Sequence, residues 1–283
     1  MGGGSRLSAY LVPYLRSLGC QIVTCGRSEL NSISVRDVTE ETIARVLRQV
    51  DPDVIVNLIA CTDVNFCEQN PKVAYALNAG LVASVGAKKT AKAQLVHIST
   101  DQIYSLGGST EVDVNPVNVY GASKLAGDFA SLAAGGCVIR TNYVAFSKVT
   151  DRPSFVDWIV SSALSKQPPT FFEDIFFNPV HAEDLAIAIG QIISGCKNDV
   201  YNIGAVDGIS KYEFAVNLLD KIGVLRQAMF RKGRVRDCAN LAKRPSNMTM
   251  SVEYSQKSLG LRLPTIDDVI KRLSIDYNFG EDQ

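Results

Sequence analysis

Short apolar runs alternate with amphipathic stretches along the first half of the chain. Residues 21–25 (QIVTC) read as a strand, 39–49 as a helix capped by Thr39, and 53–59 (DVIVNLI) as a strand apolar on both faces. A long helical segment, 71–92, precedes a strand at 94–99 (QLVHIS), a helix at 119–134 and a strand at 137–141 (CVIRT). Strands alternating with helices predict a Rossmann-type α/β fold, a doubly wound parallel sheet covered on both faces. After residue 150 the pattern loosens. Helices are expected at 155–165 and 182–194, a short strand at 200–203, and a helix at 210–222. Ser210 and Glu213 form a capping box for that last helix, Gly223 stops it, and a final helix begins near residue 265. The expected division is a dinucleotide-binding domain over 1–150 and a smaller substrate-binding region over 151–283, interleaved with the last strands.

The opening departs from this plan. A doubly wound fold starts with a strand, then a glycine-rich turn, then a helix. Here Gly2-Gly3-Gly4-Ser5-Arg6-Leu7-Ser8 leads directly into AYLVPYLRSLG, so the first strand is expected to be missing. A glycine turn before a helix lets backbone N–H groups approach a pyrophosphate. Gly2, Gly4, Ser5, Arg6 and Leu7 are the candidates, although a G-x-x-G-x-x-G spacing would put Ser5 and Ser8 at two of its three glycine positions. The strand ending Thr24-Cys25-Gly26-Arg27-Ser28 offers no acid for the ribose of NAD. Arg27 instead suits the additional phosphate of NADP. NADP(H) is therefore favoured, with NAD(H) left open.

The 283 residues carry 29 Lys and Arg against 29 Asp and Glu. A neutral balance gives no general attraction for nucleic acid or an anionic membrane. No apolar run approaches the ~18 residues of a membrane span, and no signal-peptide plan is present. The seven cysteines (Cys20, Cys25, Cys61, Cys67, Cys137, Cys196 and Cys238) form no CxxC pair, so neither a disulfide framework nor a zinc site is suggested. A reducing cytoplasm is the expected compartment. His181 precedes Glu183 and Asp184 without a third ligand at metal spacing.

Two segments carry chemistry: LVHISTDQIY at 95–104 and NPVNVYGASK at 115–124. Tyr120 and Lys124 share one helical face. A phenol normally titrates near pH ~10, and a neighbouring ammonium favours its phenolate, making it a better donor to a developing alkoxide. Thr100, at a strand end, can hydrogen-bond the same oxygen. Tyr-x-x-x-Lys alone is commonplace; the preceding Ser-Thr-Asp turn makes it specific. Asp101 reads more readily as a cap of that turn than as an acid. His97 and Trp158 read as core. Lys232, Arg234 and Arg236 fit either a diphosphate site or a solvated basic loop.

These segments, with PDVIVNLIACTDVNFCEQNPKVAYALNA, VIRTNY, NPVHAEDLA, SKYEFA and RPSNM, run in one order along nearly the whole chain. The sequence resembles the extended short-chain dehydrogenase/reductase family, and within it the dTDP-4-dehydrorhamnose reductases. The resemblance implies NADPH-dependent reduction of the 4-keto group of a nucleotide-linked deoxysugar, in a chain for which a homodimer is compatible. It implies that Tyr120 donates the proton, Lys124 holds the nicotinamide ribose and depresses the Tyr120 pKa, and Thr100 orients the carbonyl. It places Asn78 in the framework beside the cofactor, and Asp101, Tyr143 and Arg244 near the sugar nucleotide. Departures fall on the cofactor side. Leu58 and Ile59, then Ala60, stand where the family has small residues, and the 105–108 loop (SLGG) lacks its acidic residue. Two other readings stay open: an epimerase or dehydratase of the same superfamily, and a cofactor-binding relative without turnover.

Overall fold

The most continuous apolar runs of the sequence form the middle of a four-stranded sheet in the computed structural model of the chain. Its order is Val200–Ile203, Cys137–Thr141, Gln94–Ile98, Val54–Asn57, and every neighbouring pair is parallel. All of Cys137–Thr141 is buried, because helices cover both sheet faces there. Asn57 lies opposite His97, and His97 opposite Val138. Residues 1–283 are described except 36, 150, 196–197, 238–241 and 282–283, so Cys196 and Cys238 lie outside the described residues, as does the Arg236 side chain.

On one face the helix Ser8–Ser17 packs against Ala182–Gly195 through Tyr10, Leu11, Leu15, Leu185 and Ile189. On the other, Glu40–Val50 meets Leu81–Lys88 around Ile43, Leu47, Val82 and Val85. A second core gathers Phe171, Phe177, Phe214 and Leu218 beneath the helices Phe155–Ala163 and Lys211–Lys221. The halves interlock, since Val200–Ile203 joins the main sheet and Tyr143–Val144 pairs with Val180–His181. The architecture is an α/β Rossmann-like fold with a parallel sheet. Among the described residues, no helix is long and apolar enough to cross a membrane.

The N-terminal residues run beside the sheet. The Met1 ammonium donates to the Val56 carbonyl at 2.7 Å, and Leu58 N–H donates to the Met1 carbonyl at 3.1 Å. Gly2 and Gly3 N–H donate to the Cys25 carbonyl at 2.7 and 3.0 Å. Residues 1–3 thus lie between Val54–Asn57 and the short strand Cys25–Gly26, which pairs with Ile33–Ser34. The strand expected over 21–25 is realised only at Cys25–Gly26, the end that has backbone neighbours for a ladder.

The helix expected over 71–92 is interrupted. Pro71–Tyr75 and Leu81–Lys88 are α-helical, and Ala76–Gly80 between them is a π-turn carrying Asn78. Such single π-turns recur at functional positions. The helix Val119–Ala133 crosses the π-turn so closely that a Cβ on Gly127 would stand 2.1 Å from the Asn78 carbonyl oxygen and 3.2 Å from His97 Nε2. Backbone on one side and a buried imidazole on the other cannot both move away. Gly127→Ala is expected to destabilise the protein by about 3 kcal/mol. Equilibrium urea unfolding checks this; an unchanged midpoint would show that the crossing relaxes freely.

Candidate active site

Two caps position Thr100 and Tyr120. Thr100 follows the strand Gln94–Ile98 and its Oγ1 accepts from Gln102 N–H at 3.2 Å, starting the tight turn Asp101–Ile103. Asn118 caps Val119–Ala133, its Oδ1 accepting from Gly121 N–H at 2.8 Å. Gly121 lies against the first turn: a Cβ there would meet the Gln102 carbonyl oxygen at 2.4 Å. Tyr120 therefore sits close enough to Thr100 for that hydroxyl to act on its phenol, and Lys124 follows one turn later.

These three residues line a cavity of about 250 Å³ at the carboxyl ends of the strands. Ser5, Arg6 and Leu7 line one side, with Leu58 and Ala60; Asn142, Tyr143 and Phe155 line another. Ligands of open α/β sheets bind at this end.

Lys124 is buried at 1 % exposure. Its Nζ donates to the Ile98 carbonyl at 2.6 Å and lies 3.2 Å from His97 Nε2. Asn57 fixes the tautomer of that imidazole. Asn57 Oδ1 accepts from Ile59 N–H, so its Nδ2 donates to His97 Nδ1 at 3.2 Å, which leaves the proton on Nε2. An N–H then faces Lys124 and disfavours its ammonium. Burial acts in the same direction and brings the Lys124 pKa down to about 8, while Asp128 raises it. His97, expected only as core, is buried and also sets the surroundings of Lys124.

The Tyr120 phenol does not follow the expectation of a depressed pKa. Burial raises it above the ordinary value, the Thr100 hydrogen bond lowers it, and Asp101, Cys67 and Tyr143 raise it. The reason is its packing beside Val64, Cys67 and Ala74. Tyr120 is thus held protonated, the state a proton donor needs.

The remaining sequence candidates separate into three groups. Asp101 and Tyr143 line the cavity with the residues above. Asn78 stands behind it: its Oδ1 accepts from Cys61 N–H at 2.8 Å, and its Nδ2 donates to the Cys61 carbonyl at 3.0 Å and Ser123 Oγ at 2.9 Å. It thereby holds the loop that follows Asn57. Gly2, Gly4, Arg27, Ile59 and Arg244 do not border the cavity. Ile59 turns into the core against Ile43 and Leu47, because side chains alternate along an extended chain. Arg244 is half-buried and donates to Asn65 Oδ1 at 3.2 Å. Arg27 is exposed.

Other residues singled out in the sequence lie elsewhere, and Trp158 corrects its expected place in the core. Lys232 and Arg234 both pair with Glu173, at 2.7 and 2.8 Å, so this loop carries surface ion pairs. Trp158 is 43 % exposed, on the outer side of its helix against Phe155 and Phe171. His181 is buried against Asp276, and among the described residues no cluster of His, Cys, Asp and Glu could hold a metal. The sequence reading missed Asn142, whose Nδ2 donates to Asp101 Oδ2 at 2.7 Å. Its place just after the strand Cys137–Thr141 was the available signal.

A dinucleotide suits this geometry. At the amino end of the Ser8–Ser17 helix, the Gly4 and Arg6 N–H groups have no acceptor among the described residues, and a Cβ on Gly4 would meet open space. Gly2 and Gly3 are instead engaged with Cys25. The Arg6 guanidinium donates to the Pro153 carbonyl at 3.1 Å, and Arg152 donates to the Gly4 carbonyl at 2.9 Å, which ties this turn to the opposite wall.

Comparison with known proteins gives a consistent result. A dTDP-4-dehydrorhamnose reductase of Salmonella typhimurium is 30% identical over 250 residues, 82% of each chain. A probable low-salt glycan biosynthesis reductase of Haloferax volcanii is 23% identical over 295 residues, 98% of this chain and 97% of its own. Among solved structures, a dTDP-4-dehydrorhamnose reductase of Clostridium acetobutylicum superposes with a TM-score of 0.86 at 21% identity, covering 98% of both chains. One from Bacillus anthracis in complex with NADP gives 0.84 at 19% identity, covering 97% of both. The RmlD substrate binding domain family matches residues 1–278, and the chain belongs to that family.

Proposed function

We propose that this protein reduces the 4-keto group of a nucleotide-linked deoxysugar with NADPH. The observation that carries this is the convergence of Thr100, Tyr120 and Lys124 on one cavity that also reaches the turn at the start of the first helix. The similar reductases from Salmonella typhimurium and Bacillus anthracis support both the substrate class and the cofactor.

Gly4, Ser5, Arg6 and Leu7 would hold the cofactor pyrophosphate, and Arg27 the 2′-phosphate. Leu58 and Ala60 would flank the cofactor, with Asn78 bracing the loop behind them. When bound, the cofactor supplies the hydride. The chain supplies the proton and the orientation. Tyr120 gives its phenolic proton to the keto oxygen, and Thr100 hydrogen-bonds that oxygen. The Lys124 ammonium stabilises the resulting phenolate. Tyr143 and Arg244 would contact the sugar nucleotide. A dehydratase would need a free acid beside Thr100, whereas Asp101 already accepts from Thr100 and Asn142, and Gln102 follows it. The free thiols Cys20, Cys25, Cys61 and Cys67 support a reducing, cytoplasmic setting.

NADPH fluorescence titration, followed by addition of dTDP-4-dehydrorhamnose, tests the activity. Oxidation of NADPH with one reduced sugar nucleotide formed per turnover is expected. Tight NADPH binding with no oxidation by any keto-sugar nucleotide would point to the relative without turnover.

Because Lys124 must be charged to stabilise the phenolate, and its pKa is about 8, the sign of the pH dependence follows. The ammonium is lost as pH rises, so kcat/KM is expected to stay level below pH 8 and fall above it. Lys124→Arg keeps the charge and moves that limb to higher pH. A limb unmoved in Lys124→Arg would assign it to another group.

A further inference from the structure

Behind one wall of the cavity lies a partly buried cation that the proposed reaction does not use. Lys211 opens the helix Lys211–Lys221, where the Ser210 and Glu213 capping box and a hydrogen bond from Lys211 N–H to the Ile175 carbonyl at 2.8 Å fix its backbone. Its Nζ lies 3.3 Å from the Phe177 ring centroid and 4.4 Å from that of Phe155. Phe155 lines the cavity together with Thr100, Asp101 and Asn142. Among the described residues the Lys211 ammonium has neither a hydrogen bond nor an ion pair at contact distance, and the charge that acts on it is that of Asp101. Two aromatic faces hold the cation in place without consuming its donors.

Asp101 is 1 % exposed and orients two polar groups of the cavity. Its Oδ1 accepts from Thr100 Oγ1 at 3.2 Å and its Oδ2 from Asn142 Nδ2 at 2.7 Å. An ionised carboxylate accepts at both oxygens; a protonated one donates from one of them, so one of the two bonds must reverse or break. A carboxylate this deeply buried needs a nearby cation to stay ionised. Burial raises the Asp101 pKa, and Asn142, Lys211 and Thr100 lower it; Lys211 is itself brought down to about 7 by burial. The other titratable group facing Asp101 is Tyr120, which in turn faces Cys67 and Tyr143.

We propose that Lys211 is a positioning residue for the proton-donor set: its ammonium keeps the Asp101 carboxylate ionised, and Asp101 in turn holds the Thr100 and Asn142 side chains in place at the cavity wall until the keto oxygen arrives. This role presupposes the reductase activity proposed above. With Asp101 ionised, Thr100 and Asn142 both donate to it, which fixes how each of them faces the cavity. Loss of the Lys211 charge lets Asp101 take up a proton, and that arrangement is lost.

The test compares wild type, Lys211→Met, Lys211→Arg, Asp101→Asn and the Lys211→Met/Asp101→Asn double variant in steady-state NADPH oxidation with dTDP-4-dehydrorhamnose, from mildly acid to alkaline pH. Lys211→Met is expected to lower kcat about tenfold or more near neutrality, with the KM for NADPH unchanged. The deficit shrinks as pH rises, because Asp101 ionises again. Lys211→Arg retains activity, and the double variant is no slower than Asp101→Asn alone. Carboxyl-carbon NMR, with the Asp101 signal assigned by its absence in Asp101→Asn, reads the same coupling without turnover: Asp101 titrates at higher pH in Lys211→Met. An unchanged Asp101 titration, a loss of kcat equal at every pH, or additive losses in the double variant would each overturn the role. An inactive wild type whose Asp101 still shifts in Lys211→Met would sink the reductase activity and leave the coupling standing. If Lys211→Met does not fold, Lys211→Gln removes the same charge for both measurements.

Discussion

Tyr120→Phe is expected to lower kcat for carbonyl reduction by about a thousandfold while NADPH binds with unchanged affinity. The substitution removes one oxygen and leaves the ring. That ring packs with Val64, Cys67 and Ala74, so the helix start and the cavity wall keep their shape. What disappears is the proton that the keto oxygen must receive as the hydride arrives. Thr100 remains, but an aliphatic hydroxyl engaged with Asp101 is a poor acid. The measurement is a single-turnover trace of NADPH oxidation beside a fluorescence titration of NADPH. A variant that retains more than about a tenth of wild-type turnover would transfer the acid role elsewhere.

The convergence of Thr100, Tyr120 and Lys124 was legible in the sequence because each member is placed by short-range geometry. Tyr120 and Lys124 share a face through helical spacing alone, and Thr100 is carried to the cavity by ending a strand that is buried on both faces. The strands Cys137–Thr141 and Val200–Ile203 were legible for a related reason: a short apolar run bounded by turns has few alternatives in a parallel sheet. The helix after Ser210 was announced by its capping box, which is formed as expected.

What was not legible depends on contacts between distant segments. The π-turn at Ala76–Gly80 carries Asn78, whose amide reaches back to Cys61, and no local pattern encodes that reach. Ile59 and Leu58 look alike in sequence, yet one faces the core and the other the cavity. Trp158 stands among apolar neighbours but falls on the outer side of its helix, where stacking on Phe155 stabilises it without burial. Lys211 reads as an ordinary first-turn lysine until the fold sets Phe177 and Phe155 around it. Lys232 and Arg234 looked available for phosphate because Glu173, their partner, is about sixty residues away in sequence.

Asp128 shows how such a tertiary contact supports the helix Val119–Ala133, and its removal is expected to be the most damaging to stability. Asp128 stands one helical turn beyond Lys124 and is fully buried. Its Oδ2 accepts from Arg140 Nε at 2.8 Å, and its Oδ1 lies 3.9 Å from His97 Nε2. Arg140 Nη1 donates to the Tyr104 hydroxyl and to the Glu111 carbonyl, both at 2.7 Å, and Tyr104 donates to Asn202 Oδ1 at 2.8 Å. One buried guanidinium thus joins the helix, the strand Cys137–Thr141 and the strand Val200–Ile203. Asp128→Ala leaves that guanidinium without its counter-charge in a site 2 % exposed, where the desolvation of the cation is no longer offset. The expected loss is about 3 to 5 kcal/mol. Replacing Arg140 by Met as well removes the stranded charge, so the double variant is expected to be more stable than Asp128→Ala alone. Because a buried pair and an apolar pair of similar volume can be nearly equal in stability, that recovery separates a charge effect from a packing effect. Equilibrium unfolding of the two variants beside wild type makes the comparison. An Asp128→Ala loss below about 1 kcal/mol, or a double variant weaker than the single, would mean that the ion pair is not what anchors the helix carrying Tyr120 and Lys124.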